Sequence, residues 1–226
     1  MSDVNGAVVL VVGASGVLGA ELARQLESEG ATVVRAGRSA ERLSGPDAFL
    51  ADLTDEAAAA AIVAAAFGAH DRLDGIVIAA GVVAFGPVGE VRDDTLRQLF
   101  ETNALAPMRL IREAVPHLSA SAQGGGKPFV VTLSGIVAES PTAGLAAYSA
   151  SKAALAAFVQ ASSRELRRSG IRVLDARPGH IETGLATRAI AGTAPAFPAG
   201  LAPEAVAARI VRAIRDDEKD LPSTAF

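Results

Sequence analysis

The chain contains no cysteine, no tryptophan and a single tyrosine, and aromatic residues make up only 4% of its 226 positions. Without cysteine there can be no disulfide, no thiolate nucleophile and no Cys-based metal site, which is compatible with a reducing compartment. With so few aromatics, Ala, Val, Leu and Ile must fill the interior, since half of all residues are hydrophobic. Such a composition suits helices packed closely on a Val/Ile-rich parallel sheet. There is no excess of positive charge: the net charge of −4 and pI near 5.4 argue against a nucleic-acid binder, which normally carries a basic face. Long apolar runs are also missing. The first, Ala7–Val12, is too short to span a bilayer and has neither a basic leader nor a cleavage site, so a soluble cytoplasmic protein is expected. His70 and His117 have no acidic or histidine partner at ligand spacing, and His180 stands alone on a turn, so no metal is expected.

What is present is an alternation of apolar runs and helical patterns. Ala7–Val12, Thr32–Ala36, Ala48–Leu50, Leu73–Ala79, Phe129–Leu133 and Ile171–Ala176 read as short strands, continuously apolar as strands covered on both faces are. Amphipathic segments near Gly16–Glu29, Glu56–Phe67, Asp93–Leu118 and Ala147–Ser169 lie between them, and Pro203–Arg215 reads as a last helix with proline in its first turn. Gly30, Gly68 and Gly170 follow three of these segments, where a left-handed C-cap wants glycine. Pro107 and Pro116 interrupt Asp93–Leu118, which is expected to be kinked or split. The expected fold is α/β: one Rossmann-type domain over residues 1–226, a doubly wound parallel sheet with helices on both faces. Gln123–Lys127 is a surface loop. Residues 184–202, rich in Ala, Gly and Pro, form a mobile flap over a substrate, and Lys219–Ser223 supplies a brief edge strand.

The first strand runs into Gly13-Ala-Ser-Gly16-Val-Leu-Gly19 and then a helix. Strand, glycine turn and helix N-terminus make an anion site, because backbone N–H groups and the helix dipole both favour a pyrophosphate. Gly13 permits the turn, Gly16 the close phosphate approach and Gly19 the tight contact of helix on strand. The second strand ends Val33-Val-Arg-Ala-Gly37-Arg38, with no acid to take a ribose hydroxyl. Arg38 can pair with a 2′-phosphate through its planar fork, so NADP(H) is favoured over NAD(H), although both arginines could simply solvate the strand end. Asp52 can accept from an adenine amino group or cap the next helix. Tyr148 and Lys152 are four residues apart and share one helical face. An ammonium beside a phenol favours phenolate and lowers its pKa from the usual ~10.

The glycine loop, Asp52-Leu53, Ala80-Gly81, Asn103 in "FETNALAP", the Tyr148–Lys152 pentad and Arg177–Thr183, in this order, resemble a short-chain dehydrogenase/reductase from Ala7 to about Ile214. The resemblance implies Tyr148 as general acid/base, Lys152 as its tuner, and Asn103 holding a helix kink and a proton-relay water. It implies a cofactor held by Gly13, Ser15, Gly16, Leu18 and Gly19, by Arg38, Asp52 and Leu53, by Ala80 and Gly81, by Tyr148 and Lys152, and by Pro178, Gly179, Ile181 and Thr183. It also implies a homodimer or homotetramer, the Ala-rich outer face of Ala147–Ser169 being suited to subunit packing.

Three features depart from the family pattern. Only two residues separate Gly13 from Gly16, Ile78-Ala-Ala-Gly81 lacks the usual amide, and Gly135 stands thirteen residues before Tyr148 where the carbonyl-polarising hydroxyl belongs. The one hydroxyl kept is Ser134. Strand alternation would turn it away, unless Gly135 re-aims its neighbour at the strand end. The reading is an NADP(H)-dependent oxidoreductase of the carbonyl reductase or alcohol dehydrogenase type. Its small substrate would sit among Val82, Val83, Phe85, Ile136, Val137 and Leu185. The alternatives are an NADP(H)-binding regulator or scaffold with weak or no redox activity, and a dehydratase or isomerase using the same tyrosine.

Overall fold

The computed structural model describes residues 4–43, 45 and 47–226. Six strands, β1 (Val8–Val12), β2 (Thr32–Gly37), β3 (Ala48–Leu50), β4 (Gly75–Ile78), β5 (Phe129–Leu133) and β6 (Arg172–Ala176), form one sheet in the order β3-β2-β1-β4-β5-β6. Every pairing is parallel. The chain starts in the middle, winds to one edge, and then returns past β1 to build the other half. The strand order therefore reverses between β1 and β4, and a crevice opens at their carboxyl ends.

Side chains alternate across each strand, so both faces of the sheet must be covered. Val8, Leu10 and Val12 of β1 enter one core with α2 (Ala58–His70) and α4 (Ala106–Gln123) and with Leu155, Val159 and Leu166 of α5 (Ala146–Leu166). Val9 and Val11 enter the other, with Leu18, Leu22 and Leu26 of α1 (Val17–Ser28) and Val206, Ile210 and Ile214 of α6 (Pro203–Arg215). All five β1 residues are buried, which is why the strand shows no polar alternation.

Several local expectations change. Gly30 and Gly170 take positive φ after their helices, but α2 runs through Gly68 to His70, and Asp71 takes the left-handed position at φ 52°. His70 pairs with an acid remote in sequence, its Nε2 lying 3.1 Å from Asp47 Oδ2. His117 stacks on Phe67. The long segment from Asp93 breaks between its start and its first proline. α3 (Asp93–Phe100) passes through a π-helical turn at Glu101–Leu105 into α4, which carries Pro107 in its first turn and Pro116 inside. The expected edge strand is a single parallel bridge, Leu221 to Ala176. The segment expected to be a flap is tied to the body, since Ile190 N donates to Val83 O and Phe85 N to Ala191 O. No helix among the described residues is long and apolar enough to cross a membrane.

Gly19 shows how tightly α1 meets the β1 turn. A Cβ there would lie 2.2 Å from Gly13 O, a contact that backbone cannot relieve. An alanine inside a helix normally adds about 1 kcal/mol over glycine. Here Gly19→Ala is expected to lower stability by about 2–4 kcal/mol, seen as an earlier urea midpoint with an unchanged slope.

Candidate active site

Gly13 turns at φ 88°, and a Cβ on it would meet Ala80 N at 2.6 Å, so the loop lies directly on the end of β4. Ser15 leans on the end of β2, where a Cβ on Gly37 would meet its hydroxyl at 2.6 Å. Gly16 begins α1 without a side-chain cap, and no acidic residue occupies the first turn. The helix start thus keeps donors and positive potential for an anion, and the short Gly13–Gly16 spacing does not disturb that. Arg38 follows β2 into the same cavity, opposite Asp52. Asp52 does not cap α2; its Oδ1 accepts from Thr54 N and Thr54 Oγ1 at 3.0 and 2.9 Å. The Thr54 amide, helped by the charge of Arg38, holds its carboxyl below the usual value.

Tyr148 and Lys152 stand on the first turns of α5, facing the ends of β4 and β5. The ammonium lies 6.0 Å from the centre of the phenol ring and donates to Leu133 O at 2.7 Å. Burial pushes the Tyr148 hydroxyl up to about 12. In place of the expected lowering, burial of the phenol raises it, while the ammonium donates to a backbone carbonyl. Lys152 is itself lowered to about 8 by burial, which Asp175 opposes. Asn103, fully buried in the π turn, works behind the site. Its Oδ1 accepts from Val82 N at 2.9 Å, and its Nδ2 donates to Val82 O and Ser151 Oγ at 2.9 and 3.0 Å. It ties the kinked helix both to the strand-end loop and to α5, and both N–H groups of its amide are engaged.

One cavity of about 690 Å³ is lined by the glycine loop, Arg38, Asp52, Leu53, Gly81, Tyr148, Lys152, Gly179, Ile181 and Thr183. Every expected site residue borders it except Asn103. Thr102, next to Asn103, also borders it with a buried hydroxyl that has no partner. Residues 7–193 match the family model for short chain dehydrogenases. The protein belongs to the short chain dehydrogenase family.

The similarity extends over most of this chain. The chain is 32% identical over 206 residues to an uncharacterized oxidoreductase of Methylorubrum extorquens, covering 85% of this chain and 81% of that one. A short-chain dehydrogenase from Streptomyces avermitilis superposes with a TM-score of 0.84 at 28% identity, over 98% of this chain and 89% of that one. A short chain dehydrogenase from Burkholderia cenocepacia, solved in complex with NADP, gives 0.83 at 25%, over 100% and 91%.

Within this short chain dehydrogenase the end of β5 is unusual. Gly135 sits at φ 75°, ψ 166°, a conformation essentially confined to glycine. A Cβ there would meet only Pro178 O, at 3.7 Å, so backbone shape rather than crowding keeps a serine out. Ser134 is not re-aimed by it. Thr132 Oγ1 and Ser134 Oγ, two residues apart and on one face of the strand, both donate to the Asp175 carboxylate, at 2.7 and 2.5 Å. The hydroxyl expected to polarise a carbonyl is thus committed to an acid. Asp175 escaped the sequence reading, although an acid inside the apolar run "VLDA" was a signal. Thr142, Leu145 and Arg188 also border the cavity without a motif to announce them. His180 stacks on Phe197 of the flap at 4.9 Å, and Phe197 meets Phe85 at 6.0 Å, so the histidine helps to close the apolar end.

Proposed function

We propose that this oxidoreductase uses NADP(H) to move hydride between nicotinamide and the carbonyl or alcohol carbon of a small, mainly apolar substrate. The observation that carries the reading is the meeting of Tyr148 and Lys152 with an uncapped glycine-loop helix and Arg38 around one cavity. The residues fit such a cofactor. Gly13, Ser15, Gly16, Leu18 and Gly19 would hold its pyrophosphate end, Arg38 its 2′-phosphate, Asp52 and Leu53 its adenine side. Ala80, Gly81, Pro178, Gly179, Ile181 and Thr183 would hold its nicotinamide side. Bound there, the group supplies or receives the hydride.

The chain supplies the proton. A phenol pushed up to about 12 keeps its proton at neutral pH, so Tyr148 is set to donate to a carbonyl oxygen in reduction and, as phenolate, to accept the same proton in oxidation. Lys152 keeps positive charge close to the developing alkoxide. With Ser134 turned to Asp175, Tyr148 acts without a second side-chain hydroxyl from β5, a loss that in other enzymes is about 10²–10³ in rate. Val83, Val137, Leu145, Leu185 and Phe197 give the substrate end its apolar lining.

The test is a panel of apolar ketones and aldehydes, followed by nicotinamide absorbance with NADPH and with NADH. Turnover with NADPH supports the reading. Tight NADPH binding without turnover on any member would leave only a nucleotide-binding protein. Arg38→Ala is expected to raise the KM for NADPH by about 10–100-fold, the worth of a charge-assisted phosphate contact. The KM for NADH should hardly move. Equal effects on both cofactors would remove the assignment of Arg38 to the 2′-phosphate.

A further inference from the structure

The peptide unit between Leu133 and Ser134 has a charge at each end. Its carbonyl accepts the Lys152 ammonium at 2.7 Å, and its N–H donates to Asp175 Oδ1 at 3.3 Å. A trans peptide points these two groups in opposite directions. Its dipole therefore lies with the oxygen towards a cation and the hydrogen towards an anion, which favours both charges at once. Asp175 is 6% exposed, Lys152 is 5% exposed, and neither makes sense in the interior without a partner. Besides this N–H, the carboxylate accepts from Thr132 Oγ1, Ser134 Oγ and, at 3.2 Å, an Arg177 Nη.

We propose that Asp175 is a positioning residue for the Tyr148–Lys152 pair, acting through the Leu133–Ser134 peptide as the buried counter-charge of Lys152. By anchoring Ser134 it fixes the direction of the Leu133 carbonyl, and by its charge it keeps the lysine an ammonium. The ionisable groups around Lys152 are Tyr148 on its own helix, Asp175 on β6 and, beyond that carboxylate, Arg177. Arg177 is held in turn by Glu139 and Asp220. On the β4 side Gly81 and the neutral amide of Asn103 lie beside the lysine, a Cβ on Gly81 being 3.3 Å from Asn103 Oδ1 and 3.4 Å from Lys152 Nζ. The Ser134 hydroxyl thus serves the lysine's support rather than the substrate.

The proposal rests on Tyr148 and Lys152 as the catalytic pair, but its test is read without turnover. The chain has three lysines, Lys127, Lys152 and Lys219, so ¹³Cε-lysine labelling gives three side-chain signals, assigned with Lys127→Arg and Lys219→Arg. In Asp175→Asn the Lys152 titration midpoint is expected to fall by about one unit, because the neutral amide no longer favours the ammonium. The alkaline limb of kcat/KM should move down with it. The double variant Asp175→Ala/Arg177→Ala removes the carboxylate together with the cation beside it. It must also lower the midpoint, and it replaces the single variant if that one fails to fold. A midpoint that stays or rises in a folded variant overturns the proposal, even if activity is lost, because Asp175 would then be structural only. Absence of turnover in the wild-type protein would instead strike the proposed function and leave the titration standing.

Discussion

Tyr148→Phe is expected to lower kcat by about 10³–10⁴ while leaving NADPH affinity within about twofold, the signature of a lost proton donor. The ring keeps its packing against Val82, Ala84 and Leu99 on one side and Val83, Val137 and Leu145 on the other, so the fold has no reason to change. Only the hydroxyl is removed, and no side chain from β5 is in place to substitute for it, since Ser134 is bonded to Asp175. The chain has no second tyrosine. Single-turnover measurement separates the outcomes: a rate within about tenfold of wild type would mean that the proton comes from elsewhere and that Tyr148 is a wall of the cavity.

The sheet was legible because continuous apolar runs have one reading when helical patterns separate them. β3, β5 and α6 fall at the expected bounds, and the other strands shift by one or two residues at their ends. The glycine loop was legible because close backbone approach leaves a mark that a sequence can carry. Gly13 and Gly19 each sit where a Cβ would strike backbone. The π turn at Glu101–Leu105 was legible as a kink at Asn103 and as a split just before Pro107, while Pro116 marks no break. Pro116 is accommodated inside α4, while the extra residue of the turn answers to the bonds of Asn103 to Val82 and Ser151. The direction of the Ser134 hydroxyl was not legible, because it depends on a partner forty-one residues away on the neighbouring strand. The burial that raises the Tyr148 hydroxyl was not legible for a related reason. Spacing on a helix brings an ammonium near a phenol, but tertiary contacts decide which acceptor it bonds, and here that is Leu133 O.

Lys152→Met is expected to remove activity and yet raise stability. Burial lowers the lysine from 10.5 to about 8, a difference of 2.5 units that at ~1.36 kcal/mol each is about 3 kcal/mol against the folded state at neutral pH. That difference already includes the opposing attraction to Asp175, and part of the relief is lost with the hydrogen bond to Leu133 O. A net gain of about 1 kcal/mol remains, or a Tm higher by about 2–4 °C. The pH dependence gives the sign independently. A lowered folded value means that the unfolded chain binds more protons between about pH 8 and 10.5, so the wild-type protein recovers stability as the pH rises through that window. Tyr148 works oppositely: with its hydroxyl raised from 10.0 to about 12, its contribution is full below pH 10 and is lost towards 12. Lys152→Met should lack the first rise and keep the second fall, so the two proteins converge in stability between about pH 8 and 10.5. If the Lys152→Met protein instead melts below wild type at neutral pH, the buried ammonium is held by its partners more strongly than burial opposes it. Its neutral-pH stability and its catalytic loss would then have the same origin, rather than the opposed ones expected of a charge kept in the interior for chemistry.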